Sequence, residues 1–268
     1  MNLGWPRISI ITPSFNQAAF LERTILSVLE QDYPNLEYIV IDGGSSDGSV
    51  DIIRKYENRL AFWVSEPDLG QTHAINKGLK RATGDWVAWQ NSDDIFYPGA
   101  FMRVAQAAIR SAKTELIIGD INLIDEKDSV IREMCYVRPT YESLLAEGMV
   151  LTNQAAFWRR SLHTRIGWLN ESLHYGFDYE WFLRVLRETN RAVHVPQYLG
   201  ALRYHDATKT SRSQDLFDEE YRSILVGRIL PVWKKNLYRA RRLLLTLANG
   251  HFAYVLRSTK RRVFRLDR

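Results

Sequence analysis

Residues 86–99 read WVAWQNSDDIFYPG, so the apolar run Trp86–Trp89 passes almost directly into Asn91, Ser92, Asp93 and Asp94. A short unbroken apolar run suits a strand buried on both faces, as in a parallel sheet. Two adjacent carboxylates at its end repel each other unless something positive sits beside them. Outward from this stretch, residues 8–12, 36–41 and 61–64 form three more runs of the same kind. The segments between them carry helical spacing: Leu21, Ile25, Val28 and Leu29 within 20–31; Ile52, Ile53 and Tyr56 within 50–58; Ala74, Ile75, Gly78 and Leu79 within 72–82. Strand and helix alternating in this way predict right-handed βαβ units on a parallel sheet.

Beyond Pro98 the alternation breaks. The pattern predicts a helix over 99–112, then strands over 115–124 and 129–137 joined by a turn at Asp125, Glu126, Lys127 and Asp128. A helix over 141–147, a strand-like stretch at 154–158, a helix over 178–189 and an extended segment over 192–204 follow. From 213 onward the chain reads as helices. The expected fold is α/β, with a mixed central sheet and C-terminal helices.

Open α/β sheets bind ligands beyond the carboxyl ends of their parallel strands. The four runs end in Thr12-Pro13-Ser14, Asp42-Gly43-Gly44, Ser65-Glu66-Pro67-Asp68 and Asn91-Ser92-Asp93-Asp94. Asp42, Asp68, Asp93 and Asp94 therefore gather on one rim. Asp47 lies close by, though Ser46-Asp47-Gly48 also reads as a turn into a helix. Converging hard oxygen donors suit magnesium or manganese with phosphate oxygens in its shell.

Three stretches carry a resemblance. ISIITPSFNQAAFLERTILSVLEQDYPNLEYIVIDGGSSDGS (8–49), EPDLGQTHAINKGLKRATGDWVAWQNSDD (66–94) and DYEWFLR (178–184) together resemble family 2 of the inverting glycosyltransferases. The resemblance spans residues 7–210 and implies the GT-A fold, a Rossmann-like architecture of nucleotide-diphospho-sugar transferases. It implies that Thr12 and Pro13 lie along a nucleotide, that Asp42 accepts from the N3–H of a uracil or thymine ring, and that Asp68 sits near base and ribose. Asn91, Ser92 and Asp93 stand at the family's Asp-x-Asp position, with Asn91 replacing the first Asp. Asn91 and Ser92 are then expected at the nucleotide, and the main metal bond at Asp93 with Asp94 in support.

The implied reaction moves a sugar from a nucleotide-sugar, most simply a UDP-sugar, to a hydroxyl of a growing cell-surface polysaccharide or glycolipid. The diphosphate develops negative charge as it leaves, which a divalent cation (manganese or magnesium) stabilises. Inversion also needs a base for the acceptor hydroxyl. Asp178, opening the amphipathic DYEWFLRVLRET helix, is the candidate; the family's base falls in this motif, and the alternative is a plain helix cap. Glu180 is the fallback. Asn76 and Lys77 are expected either at the donor or on a solvated helix face, and His73 at the surface or in a cap. Gln154 is expected at the acceptor cleft or as a satisfied strand polar. Arg203, His205 and Lys209 could reach the diphosphate after a loop closes, and His205 could complete the metal shell.

Asn91 leaves a second reading open: a nucleotide-sugar-binding or scaffolding protein with a degenerate metal site and no turnover. A nucleotidyltransferase would want a glycine-rich, Lys/Arg-bearing loop after the first strand, and a dehydrogenase a G-x-G-x-x-G there; residues 13–19 hold neither.

Composition bounds the rest. With 46% hydrophobic and 25% charged residues, the 268-residue chain reads as globular. Its net charge of +5 is uneven: residues 231–268 hold eleven basic residues and one acid, leaving 25 basic and 30 acidic elsewhere. The expected organisation is a transferase domain over 1–212 (nucleotide half 1–125, acceptor half 126–212) and a basic helical extension over 213–268. Asn249-Gly250 should divide the tail 231–268 into two helices. Cationic helices with leucine and aromatic faces suit an anionic membrane surface or pack back on the domain. Nothing else in the chain supports nucleic-acid binding. The single cysteine, Cys135, excludes an internal disulfide and fits a reducing compartment. No signal-peptide pattern and no apolar run of about 20 residues is present. The expectation is a cytoplasmic protein, peripheral on the inner face of the cytoplasmic membrane.

Overall fold

Each of the four apolar runs becomes a strand. In the computed structural model, which describes residues 4–205 and 214–263, Ile8–Ser14 (β1), Leu36–Asp42 (β2), Phe62–Ser65 (β3) and Trp86–Trp89 (β4) lie parallel in the order β3-β2-β1-β4. β1 and β4 are buried along their whole length. β3 departs from the expectation of two buried faces: it is only half-buried, because it forms the sheet edge. Helices Ala18–Leu29 (α1), Ser49–Tyr56 (α2) and Gln71–Arg81 (α3) fill the connections. α3 buries the Ala74, Ile75, Gly78 and Leu79 face that the spacing predicts. A Cβ at Gly78 would lie 2.4 Å from Ile11, so the helix backbone rests almost on β1.

The second half extends the sheet with mixed pairing. Its elements are Ile95–Phe96 (β5), Ala100–Arg110 (α4), Leu116–Ile124 (β6), Val130–Met134 (β7), Tyr141–Glu147 (α5), Ala156–Arg159 (β8), Leu162–Ile166 (α6), Phe177–Glu188 (α7) and Ala192–Arg203 (β9). The order runs on as β4-β8-β6-β9-β5, with β7 hydrogen-bonded to β6. β8 is antiparallel to β4 and β6, whereas β9 is parallel to β6. An aromatic cluster fixes the join between the halves. Trp89, the last residue of β4, stacks on Phe182 at 6.0 Å and meets Trp158 edge-on at 5.3 Å, with Phe177 at 6.1 Å. The first turn of α7 is thereby held against the carboxyl end of β4.

Three more helices follow among the described residues: Gln214–Ile224 (α8), Val232–Ala248 (α9) and Phe252–Val263 (α10). The break between the last two falls at Asn249-Gly250, where Gly250 takes a φ of 84°. α8 packs Tyr221 on Tyr179 of α7 at 4.4 Å, and Arg242 of α9 pairs with Glu147 of α5 at 2.7 Å. Trp233, Leu237, Leu244 and Leu256 remain exposed. No helix among the described residues is long and apolar enough to cross a membrane.

Candidate active site

The two carboxylates that end β4 point to different places. Asp94 is fully buried and accepts three hydrogen bonds: from Gln154 Nε2 at 2.7 Å, Asn91 Nδ2 at 2.9 Å and the Arg203 backbone N–H at 2.8 Å. Burial, and then the neighbouring Asp93 charge, push its carboxyl well above the ordinary range. Asp94 is thus a buried anchor, which corrects its expected role as supporting metal ligand: no oxygen of it is open to an ion. Asp93 turns outward, its Oδ2 3.1 Å from His205 Nε2, with its side chain 19% exposed. One carboxylate and one imidazole form a donor pair suited to a divalent transition ion such as manganese.

The residues that hold this pair were expected to do something else. Arg203 is completely buried. It donates from Nε to the Asp93 carbonyl at 2.7 Å and from Nη1 to the Asp125 carbonyl at 2.8 Å, pairs with Asp128 at 2.5 Å, and lies 5.1 Å over the Phe20 ring. It is a clamp that brings His205 over Asp93, not a free cation for a diphosphate. Of the two readings for Gln154, acceptor cleft or satisfied polar, its contacts here match the second: it is buried and donates to Asp94. Asn76 is also buried; its amide bonds the Leu169 carbonyl, the Leu169 N–H and Glu171, which pins the 169–171 loop rather than approaching a donor. Lys77 is ion-paired with Glu66, and Glu180 is bidentate with Arg184 at 2.6 and 2.8 Å. His73 accepts from the Leu69 N–H at 3.5 Å. Lys209 lies outside the described residues.

Towards β3 the rim continues without a gap. Gln71, at the start of α3, donates to Asn91 Oδ1 at 2.9 Å, so Asn91 bridges α3 and Asp94. The Asn91 amide accepts on one side and donates on the other, which an ionised Asp could not do, and this gives Asn a physical reason at this position. Asp68 is partly exposed and accepts from the Gly70 N–H at 2.7 Å. A Cβ at Gly43 would stand 2.7 Å from Asp68 Oδ2 and 3.3 Å from the Phe15 ring, which places these three residues together. Phe15 is 59% exposed; an exposed ring beside rim acids is the signal that sequence reasoning passed over. Asp42 is completely buried, its Oδ2 held by the Gly44 and Ser45 N–H groups and the Ser65 hydroxyl, its Oδ1 by the Ser45 hydroxyl at 2.6 Å. Thr12 Oγ1 is bonded to Tyr38 at 3.0 Å; Pro13, next in β1, and Ser92, after β4, are also buried. Asp47 follows its turn reading, accepting from the Ala18 and Ser49 N–H groups.

Asp178 sits in the first turn of α7, accepts from the Tyr179 N–H at 2.7 Å, and is pushed up to about 6 by burial, against that hydrogen bond. The loop before it is held from an unexpected quarter. Glu220 of α8 accepts from the backbone N–H groups of His174 (2.9 Å), Tyr175 and Gly176 (both 2.8 Å). Burial opposes this charge, but the three donors outweigh it and hold Glu220 below the ordinary carboxyl range. Nothing in the local sequence links Glu220 to Asp178.

A parallel half-sheet extended by strands of mixed direction, with acids along its carboxyl rim, is the GT-A architecture. Residues 9–166 match glycosyl transferase family 2, and the chain belongs to that family. An uncharacterised glycosyltransferase of Mycobacterium tuberculosis is 34% identical over 182 residues, covering 67% of this chain and 68% of its own. A Rickettsia typhi counterpart is 26% identical over 257 residues, covering 87% and 74%. The putative teichuronic acid biosynthesis glycosyltransferase TuaG of Bacillus subtilis is 42% identical over 92 residues, 33% of this chain and 36% of that one. Two solved structures share the fold: S. aureus TarS in complex with UDP-GlcNAc (20% identity, 90% and 73% coverage, TM-score 0.67), and the Pyrobaculum calidifontis mannosyltransferase PcManGT in complex with GDP-Man and Mn2+ (23% identity, 91% and 71% coverage, TM-score 0.62).

Proposed function

We propose that this glycosyltransferase works with inversion, uses a divalent metal, and moves a sugar from a UDP-sugar to a hydroxyl of a growing surface polysaccharide or glycolipid. The observation that carries this reading is the division of roles between neighbours: Asp94 is consumed inside the protein, while Asp93 faces His205 at 3.1 Å. The UDP-GlcNAc bound to TarS and the teichuronic acid role of TuaG support the donor and acceptor classes.

In this reading Thr12, Pro13 and Ser92 line the nucleotide, and Phe15 and Asp68 flank the base and ribose. Asp42 meets a base N3–H once the Ser45 hydroxyl turns away from Oδ1, so that one donor replaces another. Asp93 and His205 hold the ion, which when bound offsets the negative charge on the departing diphosphate. Asp178 takes the proton from the acceptor hydroxyl as that oxygen bonds the anomeric carbon and the diphosphate oxygen leaves. A base near pH 6 is largely ionised at neutral pH yet still basic enough for this step. The exposed Trp233, Leu237 and Leu244 beside Lys234, Lys235 and Arg239 support an anionic membrane surface as the meeting place with a lipid-linked acceptor. Anionic vesicles should retain the full chain in flotation, and failure to do so removes that element.

The test is UDP release from a panel of UDP- and GDP-sugars with acceptor and Mn2+. Asp178→Asn should lower turnover by about 10²–10⁴ and leave UDP affinity within twofold, as expected for a general base. Near-normal transfer by this variant would remove Asp178 from the mechanism.

A further inference from the structure

A second group of reactive side chains lies where β6, β7 and β9 meet the turn between α9 and α10. Asp120 on β6 is completely buried. Its Oδ1 accepts from the Tyr136 N–H at 2.8 Å and contacts His194 Nε2 at 2.8 Å. Asn249 Nδ2 lies 3.3 Å from His194 Nδ1, so donation there leaves the imidazole proton on Nε2, facing Asp120. Asp120 Oδ2, sealed from water, has no hydrogen-bond partner. His251, in the α9–α10 turn, aims a buried and unpartnered Nε2 at that oxygen from 3.5 Å. That separation is beyond a normal N–H···O bond. The Cys135 sulfur lies 3.7 Å from the other nitrogen of that ring, Nδ1, and one donor atom each from Asp120, Cys135 and His251 falls within 4.8 Å of the others. Buried polar atoms facing each other out of hydrogen-bond range are unfavourable unless something lies between them.

The backbone is shaped around this group. The β6–β9 register jumps from Gly119↔Val195 to Asp120↔Tyr198, so residues 196–197 bulge opposite Asp120. Such bulges redirect side chains and cluster beside functional sites.

We propose that Asp120, Cys135 and His251 bind a divalent cation of the zinc class, with His194 orienting Asp120, and that the ion staples the α9–α10 turn to the sheet. Thiolate, imidazole and carboxylate together select zinc over magnesium or calcium. Zinc bonds of about 2.0 Å to nitrogen or oxygen and about 2.3 Å to sulfur give donor separations of roughly 3.3–3.7 Å. The 3.5 Å between His251 Nε2 and Asp120 Oδ2 falls in that range, and the three donors, within 4.8 Å of one another, draw together by about an ångström at most when the ion binds. Binding converts the Cys135 thiol to a thiolate and releases one proton to solvent. The site is separate from the rim. Asp120 precedes Ile124, the partner of Arg203, by four residues of strand, about 13 Å at the usual rise. The rim also lacks a thiol, since Cys135 is the chain's one cysteine. The inference does not depend on the transferase reading.

Cobalt(II) tests it on the full chain, because the thiolate-to-cobalt charge-transfer band reports a sulfur ligand that the rim cannot provide. The wild-type chain, purified without chelator and free of affinity tags, should carry about one zinc. After chelation, cobalt should raise the band in wild type and in Asp93→Asn but not in Cys135→Ser. Zinc affinity should fall roughly tenfold or more in His251→Gln, and about 10–100-fold in His194→Gln. Wild-type protein that purifies without zinc and gives no thiolate band with cobalt overturns the proposal, whatever the folding of the variants.

Discussion

Replacing Asp178 by Asn should make the protein more stable as well as inactive, and the gain should depend on pH. Asp178 is a carboxyl whose ordinary value of 3.8 is raised to about 6, chiefly by burial. The folded protein therefore binds this proton more tightly than the unfolded chain does. Its stabilising contribution is complete below 3.8 and is lost as pH rises through about 6. At about 1.36 kcal/mol per tenfold in the proton equilibrium, the ionised carboxylate costs about 3 kcal/mol at pH 8. The side chain keeps some contact with solvent, so about 2 kcal/mol is the working figure after screening. Asn cannot ionise, and its Oδ1 can still accept from the Tyr179 N–H. Urea unfolding of both proteins at pH 8 and at pH 4 reads the effect directly. The variant should be more stable at pH 8 by that amount, and the gain should nearly vanish at pH 4. A variant no more stable than wild type at pH 8, or equally favoured at both pH values, would refute the assignment of a strained, buried carboxylate.

The same carboxyl predicts that kcat/KM falls about tenfold per pH unit below about 6, and Asp178→Glu should move this limb. Asn91→Asp restores the family's Asp-x-Asp pattern, yet it sets a carboxylate 2.9 Å from the buried Asp94 oxygen; thermal unfolding should show a loss of about 3–5 kcal/mol rather than improved metal affinity. Glu220→Gln weakens the acceptor for three backbone N–H groups, so kcat should drop with UDP affinity unchanged, and stability should fall by about 1–2 kcal/mol.

The strands and helices of the first half are legible because burial on two faces leaves an unmistakable apolar run, and helix faces repeat at fixed spacing. β3 was over-read because an apolar run does not reveal which strand ends up at an edge. Two-residue β5 and five-residue α6 carry too little pattern to register. The rim acids were visible because topology alone directs strand ends to one side. Their orientation was not: Asp93 and Asp94 are chemically identical neighbours, and only the long-range partners Gln154 and Arg203 decide which of them turns inward. The surroundings of Arg203 and Asn76 were not legible for the same reason, since a polar residue near a site looks alike in sequence whether it bonds a substrate or a loop carbonyl. Glu220 and Asp120 show the limit of local reading, because each acts through partners brought close only by the folded sheet and helices.

In the proposed mechanism Asp93, with His205, holds a doubly charged ion against a pyrophosphate beyond the end of β4. Calorimetric titration of UDP into the protein, with Mn2+ and again with EDTA, tests it most directly. Manganese should tighten UDP binding by roughly tenfold or more in the wild type and by little in Asp93→Asn, a coupling of about 1.4 kcal/mol or greater. Equal UDP affinity with and without the ion in the wild type would contradict the claim.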